Sequence, residues 1–243
     1  VVLNGDYEEL GSELVTNGTF DADSNWTKGT GWTISGGSAS CDGTQTSNST
    51  LVTSSSISGI QNKPVKFSFE LSNCTSGTIS ATVQGTGGQE FSGISENKTY
   101  TTHITSVDST ALITFTASSD FVGDIDNVSL KQVDPNDRWT LGTNWSISDG
   151  KAVGTSTTKS IKQLNTLTVG DTYELTFTIS DYSSGSLKSN IGGVDGTTRS
   201  SNGTFTEIAT ATNAHFYLDG VSAFTGKIDN VTVKEYAIQP LDV

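Results

Sequence analysis

Phe121-Val122-Gly123-Asp124-Ile125-Asp126-Asn127-Val128-Ser129-Leu130-Lys131 returns as Phe224-Thr225-Gly226-Lys227-Ile228-Asp229-Asn230-Val231-Thr232-Val233-Lys234. Both copies read Phe-x-Gly-x-Ile-Asp-Asn-Val and then alternate apolar with polar residues. Alternation with period two is the pattern of a strand with one buried face. Val128 with Leu130, and Val231 with Val233, mark that face. The same parity sends Asp126 and Asp229 inward, where a carboxylate is costly unless it meets donors or a cation. Each copy therefore reads as the closing strand of a domain, carrying an acid that fastens something to it.

The repeat extends upstream. Asn25-Trp26-Thr27-Lys28-Gly29-Thr30-Gly31-Trp32-Thr33-Ile34-Ser35 matches Arg138-Trp139-Thr140-Leu141-Gly142-Thr143-Asn144-Trp145-Ser146-Ile147-Ser148. Phe67-Ser68-Phe69-Glu70-Leu71 matches Leu175-Thr176-Phe177-Thr178-Ile179. Ile113 and Phe115 match Phe216 and Leu218. The offset shrinks from 113 to 108 to 103 along the chain, so the second copy has shorter loops. It also lacks an evident counterpart of Leu14-Val15-Thr16-Asn17-Gly18-Thr19-Phe20-Asp21. Two copies of this length are tandem domains, not a solenoid of short repeats. The expected division is an acidic lead-in over 1–12, a domain over 13–134, and a second domain over 135–243 with a short C-terminal tail. Asp134-Pro135-Asn136-Asp137 reads as a stiff linker, since proline restricts the residue before it. About eight short strands per copy predict an all-β protein of two β-sandwiches. A last strand returning beside the start of each domain favours a jelly roll.

Bulk properties narrow the function. The 243 residues are rich in Gly, Ser, Thr and Asn, which suits short strands and many turns and disfavours long helices. Formal net charge is −13, and neither copy is basic, which argues against nucleic acid as a partner. No apolar run approaches the ~20 residues of a membrane span, so no membrane insertion is expected. The chain has no methionine, and Val1 reads as a processed, engineered or partial start, a choice the sequence leaves open. Cys41 and Cys74 both lie in the first copy; a bridge and two reduced thiols are both compatible with their positions.

The segment Leu14–Asp21, the Gly31-Trp32 strand, the Gly37-Ser38-Ala39 strand and the closing Ile125-Asp126-Asn127-Val128 together resemble a carbohydrate-binding-module-type jelly roll, the galactose-binding-like sandwich. Such modules stand beside polysaccharide-degrading enzymes and, often in tandem, in tail, fibre and head-decoration proteins of tailed phages. The resemblance implies a structural calcium in the first domain, held near the Asn-Gly-x-Phe-acid turn and the last strand; carried over, that selects Asp21 and Asp126. It also implies glycans or neighbouring virion subunits as partners, in a homo-oligomer or larger assembly, and a virion or extracellular location. A module pair detached from an extracellular polysaccharide-degrading enzyme, and a bacterial surface protein, are alternatives.

A carbohydrate site needs an aromatic platform beside amide or carboxylate groups. Tyr217 lies between inward Phe216 and Leu218, so its ring faces outward. Tyr182 follows a strand, and Glu70 and Gln84 have outward parity. Trp26 and Trp139 precede strands, where they either cover a sandwich end or stack on a sugar. Trp32 and Trp145 share parity with Ile34 and Ile147 and read as core. Catalysis finds no signature: the histidines are His103 and His215 alone, with no nucleophile elbow, metalloprotease helix or phosphate loop. The expectation is a non-enzymatic binding protein.

Overall fold

A computed structural model describes residues 1–85, 90–105 and 108–236. The described residues form antiparallel strands and no helix, so no helix crosses a membrane. The chain divides into two compact units, each a two-sheet jelly roll. Leu10–Val133 form one, here the first unit; Val1–Glu9 and the chain from Asp134 form the other, the second unit.

In the first unit one sheet runs Lys98–Thr105, Pro64–Ser76, Val122–Val133, Ser38–Asp42, Trp32–Ser35, with Leu10–Glu13 also paired to Val122–Val133. The facing sheet runs Trp26–Lys28, Ser49–Thr53, Ile113–Ala117, Ile79–Val83, Phe91–Ile94. Alternation sets what each strand buries. Val65, Phe67, Phe69 and Leu71 point into the core, while Lys66, Ser68 and Glu70 stay half-buried on the outer face. Phe69 meets Phe115 of the opposite sheet edge-on, with centroids 4.9 Å apart. Edge-to-face packing of this kind adds to the area the rings remove from water.

The second unit repeats the arrangement. One sheet runs Trp145–Ser148, Lys151–Thr157, Phe224–Glu235, Thr172–Ser184, Gly203–Thr210. The other runs Thr140–Leu141, Ser160–Gln163, Phe216–Gly220, Leu187–Ile191, Val194–Asp195. The pairings coincide position by position: Asp126 lies opposite Glu70 as Asp229 lies opposite Thr178. Trp32 and Trp145 are buried, as expected.

Three expectations need correction. First, Asp126 and Asp229 do not point inward. Asn127 and Asn230 adopt φ of 52° and 53°, and the ladder slips there. This β-bulge reverses the parity, so Ile125 and Val128 both face the core and Asp126 sits on the outer side. Asparagine tolerates the left-handed conformation that the bulge demands.

Second, residues 1–9 are not a lead-in. Asn4-Gly5-Asp6-Tyr7-Glu8 does for the second unit what Asn17-Gly18-Thr19-Phe20-Asp21 does for the first. Asn4 and Asn17 have φ of 50° and 55°, and Tyr7 and Phe20 have 56° and 52°. Val231 N–H donates to the Gly5 carbonyl at 2.8 Å, and Val128 N–H to that of Gly18 at 2.9 Å. A Cβ on Gly5 or Gly18 would lie 1.8 or 2.0 Å from those strands' carbonyl oxygens, so only glycine fits. Trp139 Nε1 donates to the Asn4 carbonyl at 2.8 Å, as Trp26 Nε1 does to that of Asn17 at 3.0 Å. Tyr7 packs on Trp139 at 5.0 Å, as Phe20 packs on Trp26 at 5.2 Å. Residues 10–12 open the strand Leu10–Glu13 of the first unit.

Third, Asp134 does not end the first domain but belongs to the second unit. It is 4% exposed, accepts from Trp139 N–H and from Asn4 Nδ2 at 2.9 Å each, and donates its own N–H to Glu9. Glu9 in turn pairs with Arg138 at 2.7 Å, which holds its carboxyl below the usual range. The short C-terminal tail lies outside the described residues. Cys41 and Cys74 are free thiols, both raised in pKa by burial.

Candidate functional site

The outer face of the second unit's Phe216–Gly220 sheet carries an aromatic ring at its centre. Phe216 and Leu218 are fully buried, and the alternation leaves Tyr217 half-buried on the opposite side. The ladder sets its neighbours in one row: Thr140, Lys162, Tyr217, Asn190 and Asp195 are cross-strand partners in succession. Lys162 Nζ stands 5.9 Å from the centre of the Tyr217 ring. That distance is the outer range of a cation–π contact. His215 meets the same ring edge-on at 6.2 Å. Its Nδ1 accepts the Asn165 N–H, which fixes the imidazole in place.

Asp195 accepts from Lys188 Nζ at 2.6 Å and from Asn190 Nδ2 at 2.7 Å. Those donors, Lys188 first, hold its carboxyl below the usual carboxylate range. In the next row Ser160 Oγ donates to Asp219, beside Lys188. Ring, amide, carboxylate and ammonium thus share one exposed surface on a rigid sheet. An aromatic face suits the C–H side of a pyranose, and the polar groups suit its hydroxyls. The matching row of the first unit reads Thr27, Val52, Thr114, Thr82 and has no ring. Tyr217 replaces Thr114 at the equivalent position, which makes this surface a property of the second unit.

The other expected ligand residues do not join it. Trp26 and Trp139 are 5% and 4% exposed and offer no ring face to a sugar. They close the sandwich ends against Phe20 with Phe115, and against Tyr7 with Phe216. Tyr182 lies on the second unit's other sheet, with its hydroxyl donated to the Gly185 carbonyl at 2.8 Å and its backbone covering Gly226. Glu70 lies on the Pro64–Ser76 strand, whereas Gln84 lies in the turn that follows Ile79–Val83 of the facing sheet, so they do not converge. A hollow of about 310 Å³ beside Val15 is lined by Glu13, Asn25, Thr53 and Ser55 among others, with no aromatic ring for stacking.

Asp21, Glu70 and Asp126 share one rim of the first unit. Burial, and then the charges of Glu70 and Asp21, raise the pKa of Asp126. Asn127 Nδ2 donates to both Glu70 and Asp126, at 3.2 and 3.3 Å. Asp21 accepts the Thr19 hydroxyl at 2.7 Å. A calcium ion takes six to eight oxygens at 2.3–2.6 Å. Among the described residues no three acids, histidines or cysteines gather closely enough to hold a metal. In the second unit the same corner is organised differently: Lys151 Nζ pairs with Asp229 at 2.5 Å, where the first unit has Ser38.

The sequence matches no family model and no curated protein. Among solved structures it is similar to the tandem CBM22-1–CBM22-2 domains of Paenibacillus barcinonensis Xyn10C, at 12% identity and TM-score 0.34, over 94% of this chain and 99% of that one. It is also similar to an anti-sigma factor domain-containing protein, at 7% identity and TM-score 0.23, over 77% and 82% of the two chains. A third likeness is to a calcium-binding mutant of Bacteroides uniformis β-glucuronidase 2, at 14% identity and TM-score 0.25, covering 80% of this chain and 23% of that one. At these scores the architecture rests on the strand pairing described above.

The neighbours of Tyr217 escaped the sequence reading. Lys162, Asn190 and Asp195 are 55, 27 and 22 positions from it, and only the strand register puts them in one row. The outward parity of Tyr217 was the legible part.

Proposed function

We propose that this chain is a non-catalytic glycan-binding protein built of two jelly-roll modules, displayed on a virion or outside the cell. The observation that carries the reading is Tyr217, an outward ring at the centre of a rigid sheet with Lys162, Asn190 and His215 around it. A ring on a strand loses little freedom when a sugar settles on it, so binding costs less ordering than it would on a loop. The acidic, Ser/Thr-rich composition supports an exposed setting, and contact with neighbouring virion subunits belongs to the same proposal.

The test is a polysaccharide panel read by affinity electrophoresis, with wild type beside Tyr217→Ala. Retarded migration of the wild type on at least one glycan, weakened about tenfold in the variant, is expected for loss of an aromatic platform. Equal retardation of both proteins would remove Tyr217 from the site. Detection of the chain in purified virions by mass spectrometry tests the location.

A further inference from the structure

The first unit presents a second, chemically different row on the outer face of its Pro64–Ser76 sheet. His103, Lys66 and Lys131 are cross-strand partners in succession, on three neighbouring strands. All three are half-buried. Like charges placed directly opposite each other in an antiparallel pair are destabilising. Residues 10–133 contain only five lysines and no arginine, so two of their five cations face each other. Lys28 and Lys98 are neutralised by Asp23 and Glu96. Among the described residues Lys66 and Lys131 form no ion pair.

The carboxylate that completes the row forms no ion pair with them. Glu13 is the partner of Lys131 on the edge strand. Its oxygens accept instead from Leu14 N–H, Val15 N–H, Leu130 N–H and the Ser129 hydroxyl, at 3.1, 3.0, 2.8 and 2.6 Å. Those four donors occupy the lone-pair directions of the carboxylate. The second unit supplies an internal control. Its matching row reads Ile208, Glu174, Lys234, an acid opposite a base. The same backbone therefore accepts a complementary pair, and the first unit has lysine where that pair has Glu174. The adjoining row, Thr101, Ser68 and Ser129, adds hydroxyls beside the cations.

We infer that Lys66 and Lys131 bind an anionic substituent, a sulfate ester or a carboxylate, carried on a glycan. The inference rests on the glycan reading given above and assigns a ligand class at a second site. The surrounding field sharpens it. A chain of net charge −13 repels a uniformly charged polyanion, whereas a single anionic group on a neutral backbone meets a local pair of cations within one screening length. The expected ligand is thus a largely neutral polysaccharide with sparse acidic groups.

The test uses the full chain and three matched tetrasaccharides: neutral, bearing one sulfate ester, and bearing one uronate. Calorimetry at low ionic strength should show at least one charged form bound about fivefold more tightly than the neutral form, with the advantage shrinking as salt rises. Which of the two is preferred identifies the substituent. Lys66→Glu, which copies Glu174, and Lys131→Gln should each remove the advantage while leaving affinity for the neutral tetrasaccharide unchanged. Equal affinity for all three sugars, or a preference untouched in both variants, overturns the inference. Tyr217→Ala keeps the two readings apart. A chain that binds the neutral sugar through Tyr217 without preferring charge sinks this inference alone; one that binds no sugar sinks the glycan reading with it.

Discussion

Replacing Tyr7 with alanine should destabilise the second unit and leave the first unchanged, although Tyr7 stands at the far end of the sequence from that unit's strands. Tyr7 is 1% exposed and packs on Trp139. Truncating a buried aromatic to alanine costs about 3–5 kcal/mol. The Tyr7 hydroxyl is buried with no hydrogen-bond partner among the described residues, a defect whose removal returns about 1–3 kcal/mol. The net loss is then about 2 kcal/mol, against about 5–15 kcal/mol for a typical domain. Tyr7→Phe isolates the hydroxyl and should stabilise the unit by about 1 kcal/mol. The same variant changes the pH response. Burial, then Asp229 and Asp134, raise the phenol well above its ordinary 10.0. A raised folded pKa means full stability below the unfolded value and loss as pH climbs beyond it. Wild type should therefore weaken above pH ~10, and Tyr7→Phe should resist that loss. Urea unfolding followed by segment-resolved hydrogen exchange reads both effects. The reasoning fails if Tyr7→Ala accelerates exchange in 10–133, or if it leaves 134–236 protected as in wild type.

Lys151→Met should destabilise the second unit by about 1–2 kcal/mol, because Asp229, whose side chain is 16% exposed, loses its ion pair; urea midpoints measure it, and an unchanged midpoint would mean solvent already satisfies that acid. In the first unit Asp126→Asn should raise stability at neutral pH by up to about 1 kcal/mol, since Asp126 faces Glu70. The sign follows from its raised pKa: the cost is present above the folded pKa and vanishes on acidification, so no gain should remain near pH 3 in a thermal melt.

The strands themselves were legible. Alternation in Phe67–Leu71 and Leu175–Ile179 placed the core residues correctly, because a sheet with one buried face writes its period into the chain. The bulge at Asn127 was not legible from parity. One residue in the left-handed conformation reverses every side chain before it, and period counting assumes that none does. The missing first segment of the second domain was visible as Asn4-Gly5-Asp6-Tyr7-Glu8, yet a search that expects repeats in collinear order looks for it after residue 134. Trp26 and Trp139 stood before strands, where sequence cannot separate a ring that seals a sandwich from one that meets a sugar. The Lys66–Lys131 opposition needed the ladder register, which depends on loop lengths and bulges that no local pattern records.

The order of assembly follows from the interrupted second unit. Residues 1–9 emerge from the ribosome before both sandwiches, but the strand that receives Gly5 and Tyr7 ends at Glu235. Leu10–Val133 can close while translation continues, as domains generally do when their last strand appears. These nine residues must wait, unsheltered, until Phe224–Glu235 has been made. During that interval their apolar side chains are open to chaperones, so the fate of a segment made before one sandwich decides whether the other can ever be finished.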